Sequence, residues 1–169
     1  MDCFIESVNG AAWSSARDRV ESAEPSVMAI VVQEHKLRGS EVDEASSWAF
    51  SKGWKSCWSP AGSGPAGGAS GGVAILVRDH LGLHDDEEWS PHRMLSAVVD
   101  LPDGSCIALA AVYLISGEGA SAGNLALLGT LGDAMGAYPA VTIQAAVSRE
   151  GRKNKKTKKH LPDNWPAEI

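Results

Sequence analysis

Long apolar stretches alternate with segments in which apolar residues recur every third or fourth position. "SVMAIVVQE" (26–34) is continuous and β-branched, which predicts a strand buried on both faces. "GVAILVRD" (72–79) reads the same way, and "GWKSCWSPA" (53–61) is a shorter strand around Trp54, Cys57 and Trp58. "MLSAVVDLPDGSCIALAAVYL" (94–114) is a hairpin turning at Pro102-Asp103-Gly104. "AVTIQAAV" (140–147) is a last strand. Helical spacing predicts a first helix over Trp13–Glu24, with Ser14 or Ser15 near its start and Pro25 stopping it. A second runs over Glu41–Lys52, with Ala45, Trp48 and Ala49 on one face and Gly53 at its end. A third covers Asn124–Met135, with Leu125, Leu128 and Leu131 inward. "GSGPAGGASGG" (62–72) is a flexible surface loop, since so many glycines do not hold an element together. The order of elements is that of a mixed α/β domain with hairpins, not a purely parallel winding.

One strand end stands out. "VVQEHKL" (31–37) passes from buried valines to Gln33, Glu34, His35 and Lys36 with no turn residue between. Either the strand has surfaced, or its end carries a site, as strand ends do in α/β folds.

The chain has 169 residues and 44% hydrophobic content, the size and balance of one globular domain. No apolar run approaches the roughly 18 residues of a membrane span. "MDCFIESVNG" lacks a basic leader and an apolar core, so no secretory signal is read. Cys3, Cys57 and Cys106 form no ligand pattern and fit reduced thiols in an intracellular, cytoplasmic or nuclear compartment. Charge is uneven. Residues 149–169 carry seven basic side chains (Arg149, Arg152, Lys153, Lys155, Lys156, Lys158 and Lys159) against three acidic ones, on a body that is net negative. This divides the chain into a domain over 1–147 and a basic, disordered tail over 148–169 that could touch nucleic acid.

Weaker features take simpler readings. The glycine loop lacks the Lys-Ser/Thr ending of a phosphate-binding loop. His80 and His84, with Asp85, Asp86, Glu87 and Glu88, read as a solvated loop before they read as a metal cluster. Arg93 could meet a phosphate, but a rim ion pair is the simpler expectation.

The series "VNG", "VVQEHKL", "SGGVAILVRD", the hairpin ending in "VYL" and "LLGTLGDAMGAYPAV" resembles the first part of the endonuclease/exonuclease/phosphatase, or DNase I-like, family. Within it, the series is similar to the apurinic-type endonucleases of non-LTR retrotransposons, over about residues 5–144. The resemblance implies an incomplete four-layer α/β/β/α sandwich with mixed, mostly antiparallel sheets. It implies a metal-dependent phosphodiesterase or endonuclease using Mg²⁺, with Glu34 as metal ligand and Tyr113 as a catalytic residue at the scissile phosphate. Asn9 lies beside metal and phosphate, and Ser7 stands where the family usually carries a further Asn. The chemistry is coherent, because Mg²⁺ neutralises the phosphodiester's charge and a carboxylate anchors the ion.

The sequence also departs from the pattern. Ala145 and Val147 occupy the positions of the family's Asp-x-Asn, and the late Asp-His pair has no counterpart before residue 169. The expectation is therefore a truncated or frame-altered N-terminal portion, inactive as this chain. The alternative is a non-catalytic remnant that binds nucleic acid weakly through its tail. The strands are expected to supply one sheet and at most the first strand of a second, leaving an apolar sheet face uncovered and prone to self-association.

Overall fold

The computed structural model describes residues 4–64, 67–85, 93–115, 119–137 and 144–148. The first four-stranded sheet is built from β1 (Phe4–Asn9), β2 (Val27–Gln33), β3 (Trp54–Ser59) and β6 (Val73–Arg78). Its order is β1-β2-β6-β3. α1 (Trp13–Glu21) connects the parallel pair β1 and β2, while β6 runs antiparallel to both β2 and β3. α2 (Ser40–Ser51) joins β2 to β3. The second sheet holds β7 (Gly82–Asp85), β8 (Met94–Asp100), β9 (Cys106–Tyr113) and β10 (Gln144–Ser148), in the order β10-β9-β8-β7. α3 (Ala122–Ala137) connects β9 to its parallel neighbour β10. Each sheet thus combines one parallel β–α–β pair at an edge with antiparallel strands beyond it.

The period of two along each strand sorts its side chains between two interfaces. Ala29, Val31, Val73, Ile75 and Val77 of the first sheet meet Leu95, Ala97, Val99, Leu109 and Ala111 of the second in one buried core. The alternate residues Ile30, Val32, Ala74 and Leu76 face outward and are covered by Ala16 and Val20 of α1, Ala49 of α2, and Trp54. On the far side Met94, Ala110 and Val112 lie under Leu127, Leu131 and Ala134 of α3. The layers are helices, sheet, sheet, helix. The strands read as unbroken apolar runs because both of their faces are buried.

Three expectations change. Among the described residues the apolar sheet face is covered. The hairpin β8–β9 forms a second sheet that lies over the first, so the two inner faces cover each other and the ground for self-association through that face falls. On α3, Leu125 and Leu128 are 53% and 41% exposed, and Leu127 turns inward beside Leu131 instead. The cause is Asn124. Its side chain accepts a hydrogen bond from the Ile115 amide at 3.1 Å and donates to the carbonyls of Ile115 and Gly119, each at 3.0 Å. A buried amide so held sets the rotation of the whole helix. The stretch "LHD" is strand β7, where His84 pairs with Asp100 at 2.7 Å. Asp86, Glu87 and Glu88 lie outside the described residues, as does the tail from Arg149.

Among the described residues, no helix is long and apolar enough to cross a membrane. The hairpin turn is as expected. Gly104 takes a φ of 83°, and Asp103 accepts hydrogen bonds from the Ser105 amide at 2.9 Å and from its hydroxyl.

Asn124→Ala leaves the amide and carbonyl of Ile115 unsatisfied beneath a glycine-rich helix of low intrinsic propensity. We expect a loss of about 1–3 kcal/mol in urea unfolding. Amide exchange should accelerate in α3 before it does in β2 or β6.

Candidate functional site

The site grows from the C-terminal ends of the parallel strands. β1 and β2 pair so that Asn9 stands opposite Gln33, and the Gly10 amide donates to the Gln33 carbonyl at 3.1 Å. The buried Gln33 side chain meets Ser7, with Nε2 to Oγ at 3.3 Å. Ser7 therefore ties β1 to β2. The Oδ1 of Asn9 accepts the Ala11 amide at 3.2 Å and shapes the turn into α1.

Past Gln33 the chain takes an unusual course. Glu34 and Lys36 both have a φ of 62°, in the left-handed region that non-glycine residues rarely adopt. Such residues persist where their surroundings over-determine them. Here the amides of His35 and Lys36 donate to the carbonyls of Gly72 and Gly71, at 3.3 and 3.1 Å. Glu34 is buried, and its Oε1 lies 3.6 Å from the Lys36 ammonium.

Gly71 and Gly72 set the spacing of the site. A Cβ on Gly71 would sit 3.0 Å from the Tyr113 ring, and one on Gly72 would sit 2.6 Å from the His35 ring. The two glycines therefore pass closely between these rings and bring Tyr113, at the end of β9, against the turn that carries Glu34. Asn9, Glu34 and Tyr113 thus lie at one end of the sandwich, but only Asn9 is exposed; Glu34, just past β2, and Tyr113 are buried. The glycine stretch is consequently not a free loop. Its end is pinned at Gly71–Gly72, and it contains the small ladder of β4 (Gly62–Ser63) and β5 (Ala69–Ser70). Arg38 donates to the carbonyls of Gly62 and Gly68.

His35 is structural. Nε2 lies 3.2 Å from the Ser59 carbonyl and 3.3 Å from that of Val73, while Nδ1 accepts the Leu37 amide at 3.0 Å. The ring is thus neutral with its proton on Nε2. Burial pushes its pKa down to about 4 from 6.5, against the smaller upward pull of the two carbonyls. With both nitrogens engaged by main chain, His35 has no capacity left to serve as a general acid or base. Arg93 makes no ion pair among the described residues. It donates to Asn124 Oδ1 at 3.2 Å, and its carbonyl receives the Tyr113 amide at 2.9 Å.

The donor set does not fit a Mg²⁺ ion held by this chain alone. Mg²⁺ asks for near-octahedral oxygen ligands and keeps several waters. Among the described residues no three His, Cys, Asp or Glu side chains lie close enough to share an ion. The one carboxylate at the strand end already faces an ammonium. Two unit charges about 4 Å apart interact by about 4 kcal/mol at an effective dielectric of ~20. A divalent ion beside Glu34 would repel Lys36 by up to about twice that. Lys36 is 38% exposed, so solvent screening trims the figure.

The family resemblance singles out Asn9, Glu34 and Tyr113; Lys36 figures in the sequence only as part of the polar strand end, and Gly71–Gly72 only as the end of a glycine loop. The "SGG" before "VAIL" is the signal that could have marked the latter.

No protein-family model matches the sequence, and no curated protein matches it. Solved structures do. The endonuclease domain of TRAS1, a telomere-specific non-LTR retrotransposon, superposes with a TM-score of 0.56 at 14% identity, covering 87% of this chain and 58% of that one. The human Nocturnin catalytic domain, solved with a bound sulfate anion, superposes with a TM-score of 0.53 at 12% identity, covering 83% of this chain and 60% of that one. At these identities the likeness is one of fold. The chain spans about three fifths of the length of these domains.

Two outcomes test the site's construction. A His35 that stays neutral when folded but titrates near 6.5 when unfolded stabilises the fold fully above that pH. The stabilisation, worth ~3 kcal/mol, is lost as pH falls from 6.5 toward 4. Melting curves between pH 7.5 and 4.5 should show Tm falling through this window, with a shallower slope for His35→Gln. Separately, Gly72→Ala should cost more than ~2 kcal/mol, since its φ is 83° and its Cβ meets the His35 ring. Gly67→Ala, with a φ of 79° but nothing within 4 Å, should cost only about 1–2 kcal/mol.

Proposed function

We propose that this chain, which has the DNase I-like fold, is the N-terminal portion of a nuclease-type domain that engages the phosphodiester backbone of nucleic acid and does not cut it unaided. The carrying observation is the convergence of Asn9, Glu34 and Tyr113 on one end of the sandwich, around a strained turn that two glycine carbonyls hold in place. Strain maintained against its cost at a polar strand end is characteristic of a site.

In this reading the exposed Asn9 brings an amide to the phosphate, Tyr113, buried against Gly71, braces the corner from within, and Glu34 marks where a cation must stand. A Mg²⁺ ion, if the rest of a complete domain helped to hold it, would supply charge neutralisation for the phosphodiester. What is missing is proton transfer. His35 is locked neutral, and Ala145 and Val147 stand where the resemblance asks for an acid and an amide. General acid–base assistance is worth ~10²–10⁴-fold in rate, so without it binding outlasts chemistry. The basic segment Arg149–Lys159 adds sequence-independent attraction to phosphate. A second reading, in which only this segment binds nucleic acid, is separated by the same experiments.

Plasmid incubated with the protein and Mg²⁺ should remain supercoiled, with no nicking beyond that of Glu34→Ala. Nicking that vanishes in the variant would refute the unaided-inactive reading. Binding to a labelled duplex should weaken with salt, by about 0.9 log units per log unit of salt for each phosphate contact. Replacing Lys155, Lys156, Lys158 and Lys159 by Gln should flatten that slope. A residual affinity that Asn9→Ala reduces further would place the strand-end site in contact with the backbone. Complete loss with the four lysines would favour the second reading.

A further inference from the structure

We propose that Lys36 is the resident counter-ion of Glu34: its ammonium occupies the place that a divalent ion would take, and the Glu34–Lys36 pair, not a metal, meets the phosphate. The phosphate contact rests on the backbone-binding reading above; the exclusion of the ion does not.

The pair is built by the main chain. Glu34 and Lys36 are two residues apart and share a φ of 62°, with His35 anchored between them. The Lys36 amide is held by Gly71, and the His35 amide by Gly72. Both glycines are clamped against aromatic rings, so the turn is not free to carry Lys36 away. The Glu34 side chain is 6% exposed and has its ammonium partner 3.6 Å away, while Lys36 is 38% exposed. Burying a carboxylate beside a solvent-reaching ammonium leaves the cation's outer side facing solvent. A strand end that recruits Mg²⁺ through one carboxylate needs that carboxylate open to the ion and its waters, whereas Glu34 is buried with an ammonium already beside it. Here Glu34 belongs to no group of three His, Cys, Asp or Glu side chains among the described residues, and the Asn9 oxygen accepts the Ala11 amide. An ammonium projecting from a neutralised carboxylate can still bond a phosphate oxygen.

The test uses the full chain, with Mn²⁺ as the metal probe and a labelled DNA duplex as the phosphate probe. Paramagnetic relaxation should detect no saturable Mn²⁺ binding at Glu34 in the wild type at millimolar concentrations. Lys36→Met keeps the aliphatic stem and removes the charge. It should create a Mn²⁺ site that the double variant Glu34→Gln/Lys36→Met abolishes. Wild-type Mn²⁺ binding that Glu34→Gln removes would overturn the proposal, and so would a folded Lys36→Met protein that gains no site. Should Lys36→Met not fold, the wild-type and Glu34→Gln measurements decide alone. On DNA, Glu34→Gln frees the ammonium and should tighten binding in EDTA and in Mg²⁺ alike. Lys36→Met should lower the salt slope by about 0.9, the share of one phosphate contact. Weaker binding by Glu34→Gln in Mg²⁺ alone would assign the site to a metal. A chain that binds no DNA under any condition would defeat the backbone-binding reading and leave the Mn²⁺ result to judge the exclusion of the ion.

Discussion

Everything in this molecule hangs on two apolar sheet faces closing on each other. Val31, Ile75 and Val77 on one side and Leu95, Val99 and Leu109 on the other are withdrawn from water by that contact. At ~25 cal/mol per Å² of apolar surface, such burial is the dominant favourable contribution available to a chain of this size. The helices follow from it. Strands that are apolar on both sides need covers on their outer faces, and α1, α2 and α3 supply them. The face-to-face arrangement also brings the end of β9 over the ends of β2 and β6, which is how Tyr113 comes to share a corner with Glu34.

That corner is assembled from main chain as much as from side chains. Gly71 and Gly72 admit the two rings, their carbonyls receive the amides of His35 and Lys36, and Glu34 and Lys36, on either side of His35, take up left-handed conformations. The polar groups here are largely committed. His35 closes three hydrogen bonds, Gln33 is joined to Ser7, and Glu34 faces Lys36. The result is a charged strand end whose described polar groups are largely paired with one another.

The structural likeness to the TRAS1 endonuclease domain and to the Nocturnin catalytic domain accords with this anatomy and extends to the fold. This chain spans 58% and 60% of those domains, and here that length already forms all four layers. β1 nevertheless has no fully buried residue, in contrast to β2, where six of seven are buried. The first sheet is therefore thinnest at its β1 edge, where Glu6 is held by Arg19 of α1.

The sequence by itself determined the elements and the identity of the strand-end residues. Unbroken β-branched runs, a Pro-Asp-Gly turn and helical spacing over 13–24 and 41–52 are local signals, set by neighbouring residues and short-range sterics. The polar tail of "VVQEHKL" was legible for the same reason. Only the tertiary structure decided that the hairpin lies over the first sheet instead of extending it. A strand buried on both faces carries no mark of which sheet it joins. Nor could spacing decide the inward face of α3, where leucines occur all round and one buried asparagine sets the rotation. The pairing of Glu34 with Lys36 depends on backbone angles that the distant Gly71 and Gly72 impose, 35 or more residues along the chain. Such long-range constraints leave no periodic trace, and packing alone resolves them.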